Sequence, residues 1–189
     1  MKFYEYRELT KRTLPDLSNS LLNNLANSIH MVLGMCSEIE ELYEAIEKFD
    51  IVNISEELID GAWYAANYCN IHDINPGYVP YTPEDLELES FDKELLLKAV
   101  KDLIIVISKL QDLDKKLLAY NKHVEHSERK ELIEEYFVIL HAACQFAGID
   151  VELGMQNNID KLSVRFPDKF TQYLANNRNL VAERKELEK

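Results

Sequence analysis

Two acidic pairs with the same internal spacing are the residues of this chain best suited to chemistry. Glu38 and Glu41 stand in Ser37-Glu-Ile-Glu-Glu-Leu42, and Glu57 and Asp60 in Glu56-Glu-Leu-Ile-Asp60. A separation of three puts both members of a pair on one side of a helix, because successive residues turn by about 100°. Glutamates at 38, 40, 41, 44 and 47 crowd the first helix. Its apolar stripe runs through Met31, Met35, Ile39, Leu42 and Ile46. Glu38 borders that stripe and Glu41 lies about 60° to its other side, while Glu40, Glu44 and Glu47 fall on the opposite, solvent-facing side. On the second helix Glu57, Asp60, Tyr64 and Asn67 form one polar stripe, with Ile59, Ala62, Trp63 and Ala66 over the rest of the circumference. A helix so apolar is expected to be buried, and its polar stripe must then face something polar inside. Two carboxylates about 5 Å apart repel by roughly 3 kcal/mol at an effective dielectric of 20. Either protons or divalent cations must sit between them. Mg²⁺ suits an oxygen-only site that keeps several waters and receives phosphates. The alternative is two solvated surface pairs, since Glu-x-x-Glu is common on helices.

Other constellations are weaker. His123-x-x-His126 falls in an expected loop with no third ligand, and there is no His-Glu-x-x-His, Gly-x-Ser-x-Gly, phosphate loop or dinucleotide fingerprint. Cys36, Cys69 and Cys144 are odd in number and scattered, which argues against a disulfide framework or a structural zinc and makes a reducing cytoplasm the natural compartment. No apolar run approaches the roughly 20 residues of a membrane span, and the charged N-terminal stretch has no signal core. The net charge of −13 argues against nonspecific nucleic-acid binding. Residues 161–189 nevertheless carry seven Lys/Arg against four Asp/Glu, so the C-terminus is where phosphate contacts are expected.

The elements that must position these groups are helices: five Gly and five Pro are few, and nothing alternates with period two for long. A short helix ends before Pro15, and a long one covers Ser18–Phe49. After a break at 50–53 the next helix runs from about Ile54 to His72, with Ser55 as its N-cap. Asn75–Pro83 is a loop. Helices then span about Phe91–Tyr120, Glu128–Phe146 and Val151–Arg165, and one or two more finish the chain. The expected fold is an all-α bundle forming a single domain of residues 1–189.

His30-Met-Val-Leu-Gly-Met-Cys-Ser-Glu-Ile-Glu-Glu-Leu42, followed by Glu56-Glu-Leu-Ile-Asp-Gly-Ala-Trp-Tyr64, resembles the MazG-like branch of the all-α nucleoside triphosphate pyrophosphatases, relatives of the dimeric dUTPases. Phe3–Thr13, Asn158–Phe170 and Asn177–Arg184 resemble the same family in the same order. The resemblance implies Mg²⁺-dependent cleavage of a nucleoside triphosphate to monophosphate and pyrophosphate, with Mn²⁺ able to substitute. It implies Glu38, Glu41, Glu57 and Asp60 as metal ligands and a homodimer; Glu41, on its position alone, is the candidate acceptor of the water's proton. Lys48, Lys161 and Arg165 become candidates for the outer phosphates, followed by Arg178 and Arg184, and Tyr64 and Asn67 for the nucleoside. Glu131–His141 echoes Glu57–Asn67, so residues 84–147 read as a degenerate copy of the catalytic helices (1–73). Glu134 and His141 then match Asp60 and Asn67, with Asp112 and Lys115 in place of the first acidic pair; two ordinary added helices are the alternative. A non-catalytic, nucleotide-sensing helical protein is the competing functional class.

Overall fold

Helix α2 (Asn23–Lys48) and helix α3 (Ile51–Ile71) are joined by only Phe49 and Asp50. Phe49 takes a left-handed backbone, φ 56°, and the Asp50 N–H returns to the Ala45 carbonyl at 3.0 Å. The Asp50 carboxylate then accepts from the Asn53 N–H, capping α3. The expected break at 50–53 and the Ser55 cap are therefore corrected. An aspartate at the N-cap satisfies the orphan amides of the first turn five residues earlier, and α3 starts at once. The reversal is tight, so α2 and α3 pack antiparallel along their length.

The computed structural model describes residues 1–14, 23–81 and 91–189; the expected helix start at 18–22 and the loop end at 82–83 lie outside them. Among the described residues the chain is all helical. Helix α1 (Phe3–Thr10) runs into a 3-10 turn, Lys11–Thr13. A second antiparallel hairpin, α4 (Lys93–Tyr120) and α5 (His126–Phe146), packs on the first through α2 and α4. Helices α6 (Val151–Arg165), α7 (Gln172–Asn176) and α8 (Leu180–Leu187) complete the order, capped by Asp150, Thr171 and Asn179. No single described helix is long and apolar enough to cross a membrane.

Helix α3 is the hub, touching α1, α2, α5 and α6. Leu58, Ile59, Ala62, Ala65, Ala66, Tyr68 and Cys69 on it are at most 1% exposed, as its apolar circumference predicts. Small residues let helices close on it. A Cβ on Gly34 of α2 would come within 2.1 Å of the Tyr64 ring, so only glycine admits that ring.

Among the described residues the α4–α5 hairpin brings no three carboxylates close enough to share a metal ion. Asp112 is paired at the surface with Lys115 and Lys116. Glu134 accepts from the Gly77 N–H, and His141 Nδ1 meets the Tyr78 hydroxyl, so these two residues strap the segment after α3 onto α5. Between the hairpins Asp114 and Arg129 form a buried ion pair at 2.7 Å. Ser28 donates to Asp114 and lies 2.7 Å from His72 Nε2, while Arg129 also donates to Tyr68. Ser, His and Asp meet here, but the Ser28 hydroxyl is given to the carboxylate rather than to the imidazole, and Ser28 and Asp114 are buried. It is a structural network, not a nucleophile.

Candidate metal and anion site

A cavity of about 430 Å³ opens where α2, α3 and the C-terminal segment meet, within the size range of small-molecule sites. Its floor is acidic: Glu38 and Glu41 from α2 face Glu56, Glu57 and Asp60 from α3. One oxygen each of Glu38, Glu41 and Glu57 lie within 4.8 Å of one another. The antiparallel hairpin produces this, because Glu41 and Glu57 stand at similar heights on either side of the turn, with Glu38 and Asp60 one helical turn further from it. Glu57 is buried, Glu38 half-buried and Glu41 exposed. Carboxylates this close repel unless a proton or a cation lies between them. Burial, with Asp60 adding its charge, raises the Glu38 and Glu57 carboxyls above their ordinary range. The cluster thus holds more negative charge than its surroundings neutralise, on oxygen donors alone. That donor set fits a divalent cation such as Mg²⁺.

Asp60 lines the same cavity, yet its oxygens are already engaged. Lys161 of α6, fully buried, approaches them at 2.6 and 2.8 Å and also reaches Glu56 at 3.1 Å. Asn158 Nδ2 donates to Asp60 Oδ1 while its own Oδ1 accepts from Tyr6 at 2.9 Å. Lys161 is therefore an internal counter-ion under the acidic floor, not a free cation for outer phosphates.

Cationic and aromatic side chains line the same cavity. Arg165 and Arg178 line it with Trp63, Tyr64, Phe166 and Phe170. His30 lines it too; burial lowers its pKa, and its Nδ1 has no hydrogen-bond partner. Trp63 Nε1 donates to Thr13, and Arg12 donates to the Phe166 carbonyl and to Ser163, so the 3-10 turn pins the end of α6 over the cavity.

The structure brings Glu38, Glu41, Glu57, Asp60, Tyr64, Arg165 and Arg178 to one cavity. It takes Lys48 away: that ammonium is exposed and paired with Glu44 one turn earlier, on the solvent face. It also removes Asn67, which is fully buried and bonded to Thr10 and to the Trp63 carbonyl. Arg184 binds Asn53 and Asp50 at the start of α3 and does not line the cavity. Glu56, Asn158, His30 and Glu183 were not singled out by spacing; a tertiary meeting of distant segments gives them their places. Among the described residues the lining comes from 13–64 and 162–178. Helices α4 and α5 contribute none of these residues, and the C-terminal part of the lining runs from the end of α6 to Arg178.

Compared with protein-family models, curated proteins and solved structures, the chain matches none.

Proposed function

We propose that the chain is a Mg²⁺-dependent nucleoside triphosphate pyrophosphohydrolase of the MazG-like kind. One observation carries the reading: three carboxylates converge within 4.8 Å in a cavity that two arginines and several aromatic side chains also line. Those three features match the three parts of a metal–nucleotide complex. Glu38, Glu41 and Glu57 would hold the metal, joined by whatever lone pairs Asp60 keeps beside Lys161. Bound there, divalent ions stabilise charge developing on phosphate oxygens and acidify a water.

The chain's own groups do the rest. Glu41, the most exposed of the cluster, is positioned to accept the proton of the attacking water. Arg165 and Arg178 bind the outer phosphates, a task suited to planar, permanently charged guanidiniums. Tyr64, Trp63, Phe166 and Phe170 offer faces on which a base or sugar packs and exclude water from that side. The Tyr6–Asn158–Asp60 chain and Lys161 fix the floor. The net charge remains against a nucleic-acid substrate, and a homodimer in the cytoplasm remains the expected setting.

Pyrophosphate release from a panel of NTPs and dNTPs with Mg²⁺ or Mn²⁺ tests this. Glu41→Gln and Asp60→Asn are each expected to lose about 100-fold or more, the scale of removing an electrostatic catalytic group. Wild-type rates in both variants would remove the site from the reaction.

The engagement of Asp60 by Lys161 and Asn158 favours a second reading, a nucleotide sensor that binds without turnover. It predicts a rise in melting temperature with Mg²⁺–nucleotide and no pyrophosphate.

A further inference from the structure

The cavity holds an electrostatic conflict. Five carboxylates on its floor and two guanidiniums on its wall share one space, and nothing in simple attraction keeps them apart. Glu56 and Asp60 are near enough to Arg178 to stabilise its charge. Left free, the arginines would fall onto the carboxylates and take the oxygens a cation needs.

Glu183 of α8 prevents that collapse. Its carboxylate is 3% exposed, and one oxygen, Oε2, accepts from both guanidiniums: Arg165 through Nε at 3.1 Å and its terminal nitrogen, Arg178 through Nε at 3.2 Å and its terminal nitrogen at 2.8 Å. The other oxygen, Oε1, is buried with no hydrogen-bond partner. A buried carboxylate is costly unless fully paired, and this one is aimed entirely at the two arginines. Two like charges sharing an acceptor repel, so without the anion they separate. Helix α8 is itself anchored, by Arg184 to Asn53 and Asp50 at the start of α3, so the position of Glu183 is tied to the helix that carries the acidic floor.

We infer that Glu183 is a positioning residue that holds Arg165 and Arg178 off the carboxylate floor and so keeps that floor open to divalent cations. The inference rests on the proposed reading of the floor as a cation site. Loss of the anion converts the arginines from phosphate ligands into competitors of the metal.

The test is Mn²⁺ binding to the full-length, nucleotide-free protein, followed by water-proton relaxation. Glu183→Gln is expected to weaken Mn²⁺ binding at least tenfold. The defect should persist in about 0.5 M salt, where the screening length is only ~4 Å and contributions from exposed, distant charges are masked. The triple variant Arg165→Met, Arg178→Met, Glu183→Gln removes the competitors with the anion, and apolar replacement of a buried ion cluster is usually tolerated. It should bind Mn²⁺ within threefold of wild type or tighter, and this arm decides the matter even if Glu183→Gln alone does not fold. Wild-type affinity in folded Glu183→Gln, a defect that vanishes in salt, or a triple variant that stays tenfold weak would each overturn the inference while leaving the cation site standing. A wild-type protein that binds no Mn²⁺ would overturn both.

Discussion

Gly34 and Tyr64 decide at the scale of single residues what the cavity can hold. The Tyr64 ring occupies the space where any larger residue at 34 would put its Cβ. Gly34→Ala gains helix propensity, worth up to about 1 kcal/mol, but forces the ring out of place, and overpacking costs typically 1–3 kcal/mol. We expect net destabilisation of about 1 kcal/mol in urea melts. Tyr64→Ala in the same chain should recover part of it, because the clash needs both groups. If Tyr64 faces the nucleoside, Gly34→Ala also raises KM for nucleotide more than it lowers kcat. Additive stability effects in the double variant would refute the clash. Glu38 and Glu57 make the same point in charge: each is an ordinary glutamate whose carboxyl is pushed up by burial first and by Asp60 second.

At the scale of elements, the two hairpins are joined by a polar lock as well as by apolar packing. Asp114 and Arg129 are 3% and 5% exposed and tie α4 to α5, while Ser28 and His72 draw in α2 and α3. Removing one partner strands the other's buried charge, which typically costs 3–5 kcal/mol. Asp114→Ala and Arg129→Met are each expected to destabilise by about that much. The double variant should be distinctly less unstable than the sum, since no charge is left unpaired. Urea denaturation of the four proteins measures the cycle, and simple additivity would mean the pair contributes no coupling. The C-terminal helices play a different part: α6 sends Lys161 beneath the acidic floor, and α8 sends Glu183 to the arginines.

For the whole molecule, the acidic floor is expected to make stability depend on pH and, on the proposed reading, on a divalent cation. Burial and Asp60 push Glu38 up to about 7, and burial, Asp60 and Glu56 push Glu57 to about 9, from an ordinary value of 4.5. A carboxyl raised on folding contributes stability that is complete below its unfolded value and is lost as pH climbs through the folded one. Metal-free protein should therefore melt at progressively lower temperature from pH 5 to pH 9. Burial lowers His72 to about 3, with Arg129 and His126 adding to it, and its contribution fails in the other direction, below about 6.5. A bound divalent cation needs the carboxylates ionised, so Mg²⁺ should flatten the alkaline decline and release protons on binding. Melting curves across that range with EDTA or with Mg²⁺ check this; equal slopes in both would argue against a cation among Glu38, Glu41 and Glu57.

The sequence by itself determined the helices and the acidic face. Apolar residues at helical spacing mark α2, α3 and α6 nearly to their ends, and the same periodicity separates Glu38 and Glu41 from Glu40, Glu44 and Glu47. These are local properties, set by the 3.6-residue turn and by which side must leave water. The start of α3 was less legible, since Asp50 and Ser55 are both good caps and only the tight reversal selects Asp50. What surrounds the acidic face could not be decided locally. Lys161, Asn158, Arg165, Arg178 and Glu183 lie roughly a hundred residues or more beyond the carboxylates whose cavity they line or adjoin. Lys48, adjacent in sequence, points to solvent, and Asn67, on the right stripe, is sealed in the core one turn too far along. The tertiary structure assigned those roles, because charges in a shared cavity answer to distance and burial, which no spacing along the chain encodes.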